Sequence, residues 1–178
     1  MSRNKEKKNN IMLIGFMGSG KSSIGIKLSY KLQLALSDTD KMIEANEGMS
    51  IKELFSLKGE NYFRQAETKL LYDIIACENR KIYSLGGGTP IALQNQALIC
   101  RAGKVVYLRA KPETIYDRLK GDTTRPLLQC EDPLGRIKDL MSKRSAIYER
   151  CADLIIDVDE FDQSQIVDMI SNFILNEG

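Results

Sequence analysis

The chain contains no histidine, and that absence removes several chemistries at once. Ser-His-Asp and Cys-His hydrolysis, His-ligated zinc and histidine proton shuttling are excluded. Acid–base work must fall to carboxylates, lysines or water. Cysteine is sparse: Cys77, Cys100, Cys130 and Cys151 stand far apart, so there is no CxxC pair, zinc knuckle or dense disulfide framework. A reducing compartment fits. No apolar run approaches the length that crosses a bilayer, and the start lacks the apolar core of a signal peptide. Repeats and low-complexity tracts are also missing. Together these absences lead us to expect a cytoplasmic protein with no membrane partner.

What remains is ordinary in bulk. At 178 residues and 43% hydrophobic content, the chain can bury one core and reads as a single domain spanning 1–178. The net charge is only +2. Arg3, Lys5, Lys7 and Lys8 against Glu6 concentrate positive charge at the start. Residues 1–9 read as a flexible, solvated basic tail, with a nucleic-acid or membrane arm as the alternative. The rest of the chain offers no general basic surface, so no nucleic-acid partner is expected.

The most informative motif is Gly15-Phe16-Met17-Gly18-Ser19-Gly20-Lys21-Ser22, which fits GxxxxGK[ST] directly after the apolar stretch Ile11-Met12-Leu13-Ile14. Strand, loop and helix follow in the order a phosphate-cradling P-loop requires. Gly18, Ser19, Gly20, Lys21, Ser22 and Ser23 are the candidate nucleotide-binding residues. Lys21 would reach the outer phosphates, the Ser22 hydroxyl would ligate Mg²⁺, and the helix starting at Lys21 adds its N-terminal dipole. The expected ligand is a nucleoside triphosphate with Mg²⁺. The loop alone leaves open whether the chain is a kinase, a switch or a motor.

Short β-rich runs alternate with longer amphipathic ones, the pattern of a parallel sheet covered by helices. We expect strands over 11–15, 35–37, 81–85, 104–108 and 153–158. Helices are expected over 21–33, 39–46, 59–78, 91–101, 112–120, 133–150 and 164–175. Asp132-Pro133 reads as an N-cap followed by proline at the first helical position. Residues 118–132 include a polar, aperiodic stretch carrying Arg125, readable as a mobile lid or as a plain surface loop.

Ligands of open α/β sheets collect beyond the carboxyl ends of strands. After the second strand comes Asp38-Thr39-Asp40. In an extended segment residues two apart face the same way, so both carboxylates can point at the phosphates. One could orient the hydration shell of Mg²⁺ and the other could favour deprotonation of a substrate hydroxyl; alternatively one of them caps the following helix. After the third strand comes Gly86-Gly87-Gly88, where a ligand can rest on bare backbone, or the chain simply turns. That strand lacks a terminal aspartate, which leaves Asp38 as the nearest carboxylate for the metal, acting through water.

Three arginines complete the candidates. Arg144 falls within the apolar stripe of Leu134, Ile137, Leu140, Met141, Ile147 and Tyr148, so its charge should point inward and need an anion, from a ligand or from the protein itself. Arg64, beside Phe63 and spaced from Glu60 and Glu67 as helix neighbours, reads alone as a solvated ion-pair cluster. Arg125 has the character of a phosphate-stabilising arginine supplied within the chain.

As an ordered set, GFMGSGKSS, Asp38-Thr39-Asp40, Phe63-Arg64 with Glu67, Ser84-Leu85-Gly86-Gly87-Gly88, Thr124-Arg125-Pro126-Leu127-Leu128 and Lys143-Arg144 with Tyr148 resemble the shikimate kinase family. The resemblance runs from about Asn10 past Asp157. It implies a three-layer α/β P-loop kinase fold, with a five-stranded parallel sheet of order 2-3-1-4-5 flanked by helices, a substrate-binding segment over 39–67 and a lid around Arg125. It further implies transfer of the γ-phosphate of ATP to the 3-hydroxyl of shikimate. Asp40, Arg64, Gly86, Gly87, Gly88 and Arg144 would then form the shikimate site, with Asp40 holding ring hydroxyls and the two arginines clamping the carboxylate. Lys21, Asp40 and Arg125 would be catalytic. Ser22 would ligate Mg²⁺ with Asp38 behind its waters, and Arg118 would lie near adenine. The acidic stretch 157–161, where the family contacts adenine, suggests no particular contact. A monomer is expected.

Two other readings are weighed against this one. A kinase for gluconate or a nucleoside monophosphate shares the donor loop, but the segment from Asp40 to Glu67 offers Phe55, Tyr62 and Phe63 and few amides to read a base. A nucleotide-dependent switch would need an Asn-Lys-x-Asp guanine reader after a strand. Asn4-Lys5-Glu6-Lys7 has the wrong last residue and the wrong place.

Overall fold

The structure is a computed structural model that describes residues 8–122 and 130–176. Five strands, β1 (Asn10–Ile14), β2 (Leu36–Asp38), β3 (Ile82–Ser84), β4 (Gly103–Arg109) and β5 (Leu154–Asp157), form one sheet of order β2-β3-β1-β4-β5. Every pairing is parallel, with Leu13 opposite both Ser84 and Val106. This is the sheet order that the sequence resemblance implies.

The inner strands read as unbroken apolar runs because both of their faces are covered. Alternation still decides which residue goes where. From β1, Ile11 and Leu13 join Val106 and Leu108 of β4 in a core shared with Ile24 and Leu28 of α1 (Lys21–Leu32) and Ile166 and Ile170 of α7 (Gln163–Asn176). Met12 and Ile14 face the other way, with Val105 and Tyr107, into a second core. That core takes residues from α2 (Thr39–Glu47), α3 (Ile51–Ala76), α4 (Leu93–Ala102) and α6 (Pro133–Cys151). The remaining helix, α5 (Pro112–Leu119), seals the first core through Ile115 and Leu119. The result is three layers, helix on sheet on helix.

Two sequence expectations need correction. The helix expected from about Gly59 is present, but a further helical stretch that the sequence did not suggest precedes it from Ile51, and the two join across a kink to form α3. Ser50 and Glu53 form a reciprocal capping box, a feature that contributes about 1 kcal/mol. Gly59 is a break inside it, at φ 80 and ψ 171, a conformation glycine tolerates, so the periodic pattern restarts there. Residues 8 and 9, expected to fray, are tied down: the Lys8 amide donates to the Arg101 carbonyl at 3.0 Å, and Arg80 Nε donates to the Asn9 carbonyl at 2.8 Å. The expected cap at Asp132 is present, its carboxylate accepting from the Gly135 amide at 2.9 Å.

Candidate functional site

The phosphate loop lies between the end of β1 and the start of α1. Gly20 takes the N-cap position in a left-handed conformation, φ 99, and no described side chain caps the helix. The first-turn amides are therefore left to an external acceptor, and the helix dipole favours an anion there. Lys21 Nζ folds onto the loop, donating to the carbonyls of Gly15 at 2.9 Å and Phe16 at 3.0 Å. Ser22 and Ser23 are exposed, whereas the Ser19 hydroxyl is buried without a described partner. Arg118, on α5, reaches across to donate to the Gly18 carbonyl at 3.0 Å.

A cleft of about 720 Å³ opens over this loop, and Asp38, Asp40, Gly86, Gly87 and Arg118 share its wall. Its far side is formed by Val158, Phe161 and Gln163, which follow β5. Acidic residues dominate this stretch, so its sequence suggests no particular contact. Val158 and Phe161, two apolar residues just beyond a strand's carboxyl end, are what mark it as a ligand-facing stretch.

Asp38 and Asp40 divide the roles expected of the pair. Asp38 caps α2, its Oδ1 accepting from the amides of Asp40 at 3.0 Å and Lys41 at 3.2 Å. Asp40 belongs to the first helical turn rather than to an extended segment, yet both residues still line the cleft. Asp40 Oδ1 is buried and has no hydrogen-bond partner among the described residues. Burial, then the charges of Asp38 and Glu67, push its carboxyl up to about 6, against the pull of Lys21. A carboxyl of that value is tuned for proton transfer near neutrality.

The glycine triplet makes room for these charges. A Cβ on Gly86 would lie 2.5 Å from Asp40 Oδ1, and one on Gly88 would lie 2.5 Å from Arg64 Nη1. The turn is pinned from two sides: the Gly86 amide donates to Thr39 Oγ1 at 3.0 Å, and the Tyr148 hydroxyl donates to the Gly87 carbonyl at 2.5 Å.

Arg64, read alone as a surface cluster, is half-buried against this turn. Its Nη1 donates to Glu67 Oε2 at 2.8 Å, and its Nε and Nη2 reach Glu60 Oε1 at 3.3 and 3.1 Å. Arg144 is also half-buried, with its guanidinium 5.7 Å from the centre of the Phe16 ring. It lies beside Tyr148, whose hydroxyl burial pushes up to about 12 while the arginine opposes the shift. Neither arginine lines the 720 Å³ cleft; Arg64 meets the glycine turn at Gly88, and Arg144 neighbours it through Tyr148. Arg125 lies outside the described residues.

The donor set also suits a magnesium ion. One serine hydroxyl, one carboxylate oxygen left over from capping, and space for phosphate oxygens and water form the hard, sparse oxygen set that Mg²⁺ takes, rather than an all-protein cage.

Comparison with known proteins supplies the family. The shikimate kinase family model matches residues 17–175. A shikimate kinase of Sulfurihydrogenibium sp. is 45% identical over 161 residues, covering 90% of this chain and 95% of that one. One of Thermodesulfovibrio yellowstonii is 40% identical over 161 residues, covering 90% and 92%. Among solved structures, the Acinetobacter baumannii shikimate kinase in complex with shikimate superposes with a TM-score of 0.87 at 31% identity, covering 97% of this chain and 96% of that one. A P-loop facing a raised aspartate and an arginine-lined glycine turn is thus found in a chain that belongs to the shikimate kinase family.

Proposed function

We propose that this chain transfers the γ-phosphate of ATP to the 3-hydroxyl of shikimate through the residues just described. The observation that carries the reading is Asp40, a buried carboxyl raised to about 6 with one oxygen unpartnered, across the cleft wall from Lys21. In that place a carboxylate accepts the proton of an attacking hydroxyl. Lys21 moves from the loop carbonyls to the transferring phosphate, while the amides after Gly20 hold the remaining phosphates. Arg118 covers the nucleotide, Phe161 packs near its base, and Arg125 adds charge neutralisation from the lid. Arg64 and Arg144 clamp the substrate carboxylate, and Gly86, Gly87 and Gly88 give it a floor without side chains.

Ser22 and Asp38, the latter through water, would hold Mg²⁺, which when bound neutralises phosphate charge. Catalysis is otherwise positioning and electrostatics, so the lack of histidine carries no penalty.

We further propose a single-domain, cytoplasmic monomer with a substrate-binding segment over 39–67 and a lid over 118–132, acting without nucleic-acid or membrane partners. No helix among the described residues is long and apolar enough to cross a membrane.

The test is to incubate the protein with Mg·ATP and, separately, shikimate, gluconate and AMP, following ADP release and phosphorylated product by mass spectrometry. ADP and shikimate phosphate should form only with shikimate. Background ADP with shikimate, or equal use of gluconate or AMP, would sink the assignment.

A further inference from the structure

One buried residue on the acceptor side has no place in the transfer chemistry or in the substrate contacts. Thr89, the first residue of the short 3-10 turn Thr89–Ile91 after the glycine triplet, is 2% exposed. Its hydroxyl donates to Glu67 Oε1 at 2.6 Å, while Arg64 Nη1 donates to Glu67 Oε2 at 2.8 Å. Each oxygen of this buried carboxylate is therefore held by a different donor. Thr89 itself is fixed from behind: its amide donates to the Gly86 carbonyl at 3.0 Å, and its carbonyl accepts from Asn95 Nδ2 at 2.9 Å. Asn95 is fully buried, and its Oδ1 accepts from Thr68 Oγ1 at 2.7 Å.

The hydroxyl also borders the reacting carboxyl. A Cβ on Gly86 would lie 3.2 Å from Thr89 Oγ1 and 2.5 Å from Asp40 Oδ1. The only other described carboxylate on Arg64, that of Glu60, is largely exposed, and exposed pairs contribute about 0–1 kcal/mol. The guanidinium is therefore oriented from the buried side, through Glu67.

We infer that Thr89 is a positioning residue for the acceptor: its hydroxyl locks Glu67, and Glu67 in turn holds the Arg64 guanidinium against Gly88 to receive a carboxylate. A carboxylate that loses one of its two donors can turn in its pocket, and the guanidinium it carries turns with it. The inference rests on the assignment of Arg64 to the acceptor given above.

Thr89→Val keeps the shape and removes the donor, Thr89→Ala removes it without added bulk, and Thr89→Ser restores it. Steady-state kinetics with shikimate and Mg·ATP are compared across these variants and the parent. With one charge-assisted hydrogen bond lost, the KM for shikimate should rise about tenfold in Thr89→Val and Thr89→Ala. The KM for ATP should stay within about twofold, and Thr89→Ser should recover the parent value. If only one of the two donor-free variants folds, that variant decides the matter. A shikimate KM unchanged in a folded variant, or raised equally for both substrates, overturns the positioning role. A parent protein that does not phosphorylate shikimate overturns the assignment itself, and the inference with it.

Discussion

The two sides of the cleft are built by different means. On the donor side the ligand-facing groups are mainly backbone: the amides after Gly20, the start of α1, and a lysine resting on two main-chain carbonyls. The acceptor side proposed above is built of side chains from three helices around a bare glycine turn: Asp40 of α2 lines the cleft, while Arg64 and Glu67 of α3 and Arg144 and Tyr148 of α6 stand behind the turn. A backbone site is fixed by eight consecutive residues and serves any triphosphate. A side-chain site depends on how helices pack, and so it can be specific. The difference separates binding of the donor from choice of the acceptor.

The strongest way to break that division is at Lys21. Replacing it with Ala should reduce kcat by roughly a thousandfold or more, since it removes the charge proposed to meet the transferring phosphate. Retained turnover would move the phosphate role elsewhere.

Next in size is Asp40→Asn, for which turnover should fall at least about a hundredfold, as for loss of a general base. In the parent protein, kcat/KM for shikimate should rise as pH climbs through about 6, following ionisation of this carboxyl. Stability runs the other way. The carboxyl titrates near 6 in the folded protein against 3.8 ordinarily, so the folded state binds the proton more tightly, and stability falls as pH rises from 3.8 through 6. At pH 8, Asp40→Asn should therefore be more stable than the parent, by up to about 3 kcal/mol at 1.36 kcal/mol per unit. Denaturant melts at pH 4 and pH 8 check this; a variant no more stable at pH 8 would show that Asp40 is not held at such a cost.

Arg144→Lys should raise the KM for shikimate about tenfold and leave that for ATP unchanged, because the planar fork is lost while the charge stays. An unchanged shikimate KM would make Arg144 a packing residue against Phe16. The smallest effect is expected at Glu60, which occupies two Arg64 nitrogens from an exposed position. Glu60→Gln should lower the shikimate KM about twofold by removing a competing anion. A raised KM would show that Glu60 helps to hold the arginine in place.

The same contrast explains what could be read from the sequence. The P-loop, the glycine triplet and a parallel sheet covered by helices were legible because they follow from contiguous motifs and from the alternation of strand and helix patterns, whereas the strand order came only through the family resemblance. For Arg64, spacing alone gave the pairing with Glu60 and Glu67, and its place in the acceptor site came only through the family resemblance; that Gly88 lies beneath its guanidinium follows from the fold alone. Thr89 and Asn95 left no pattern at all, since a buried hydroxyl and a buried amide matter through partners 22 and 27 residues away. Phe161 and Gln163 were masked by their acidic neighbours. The first stretch of α3, from Ile51 to the kink at Gly59, was not legible as a helix because the glycine breaks the periodic pattern, although Ser50 and Glu53 form its capping box.

The claim that donor and acceptor sites are separately built is tested most directly by calorimetric titration of shikimate into Lys21→Ala. The account predicts a shikimate affinity within about twofold of the parent, in a protein that no longer turns over. Loss of shikimate binding in that variant would contradict it, showing that one side of the cleft cannot form without the other.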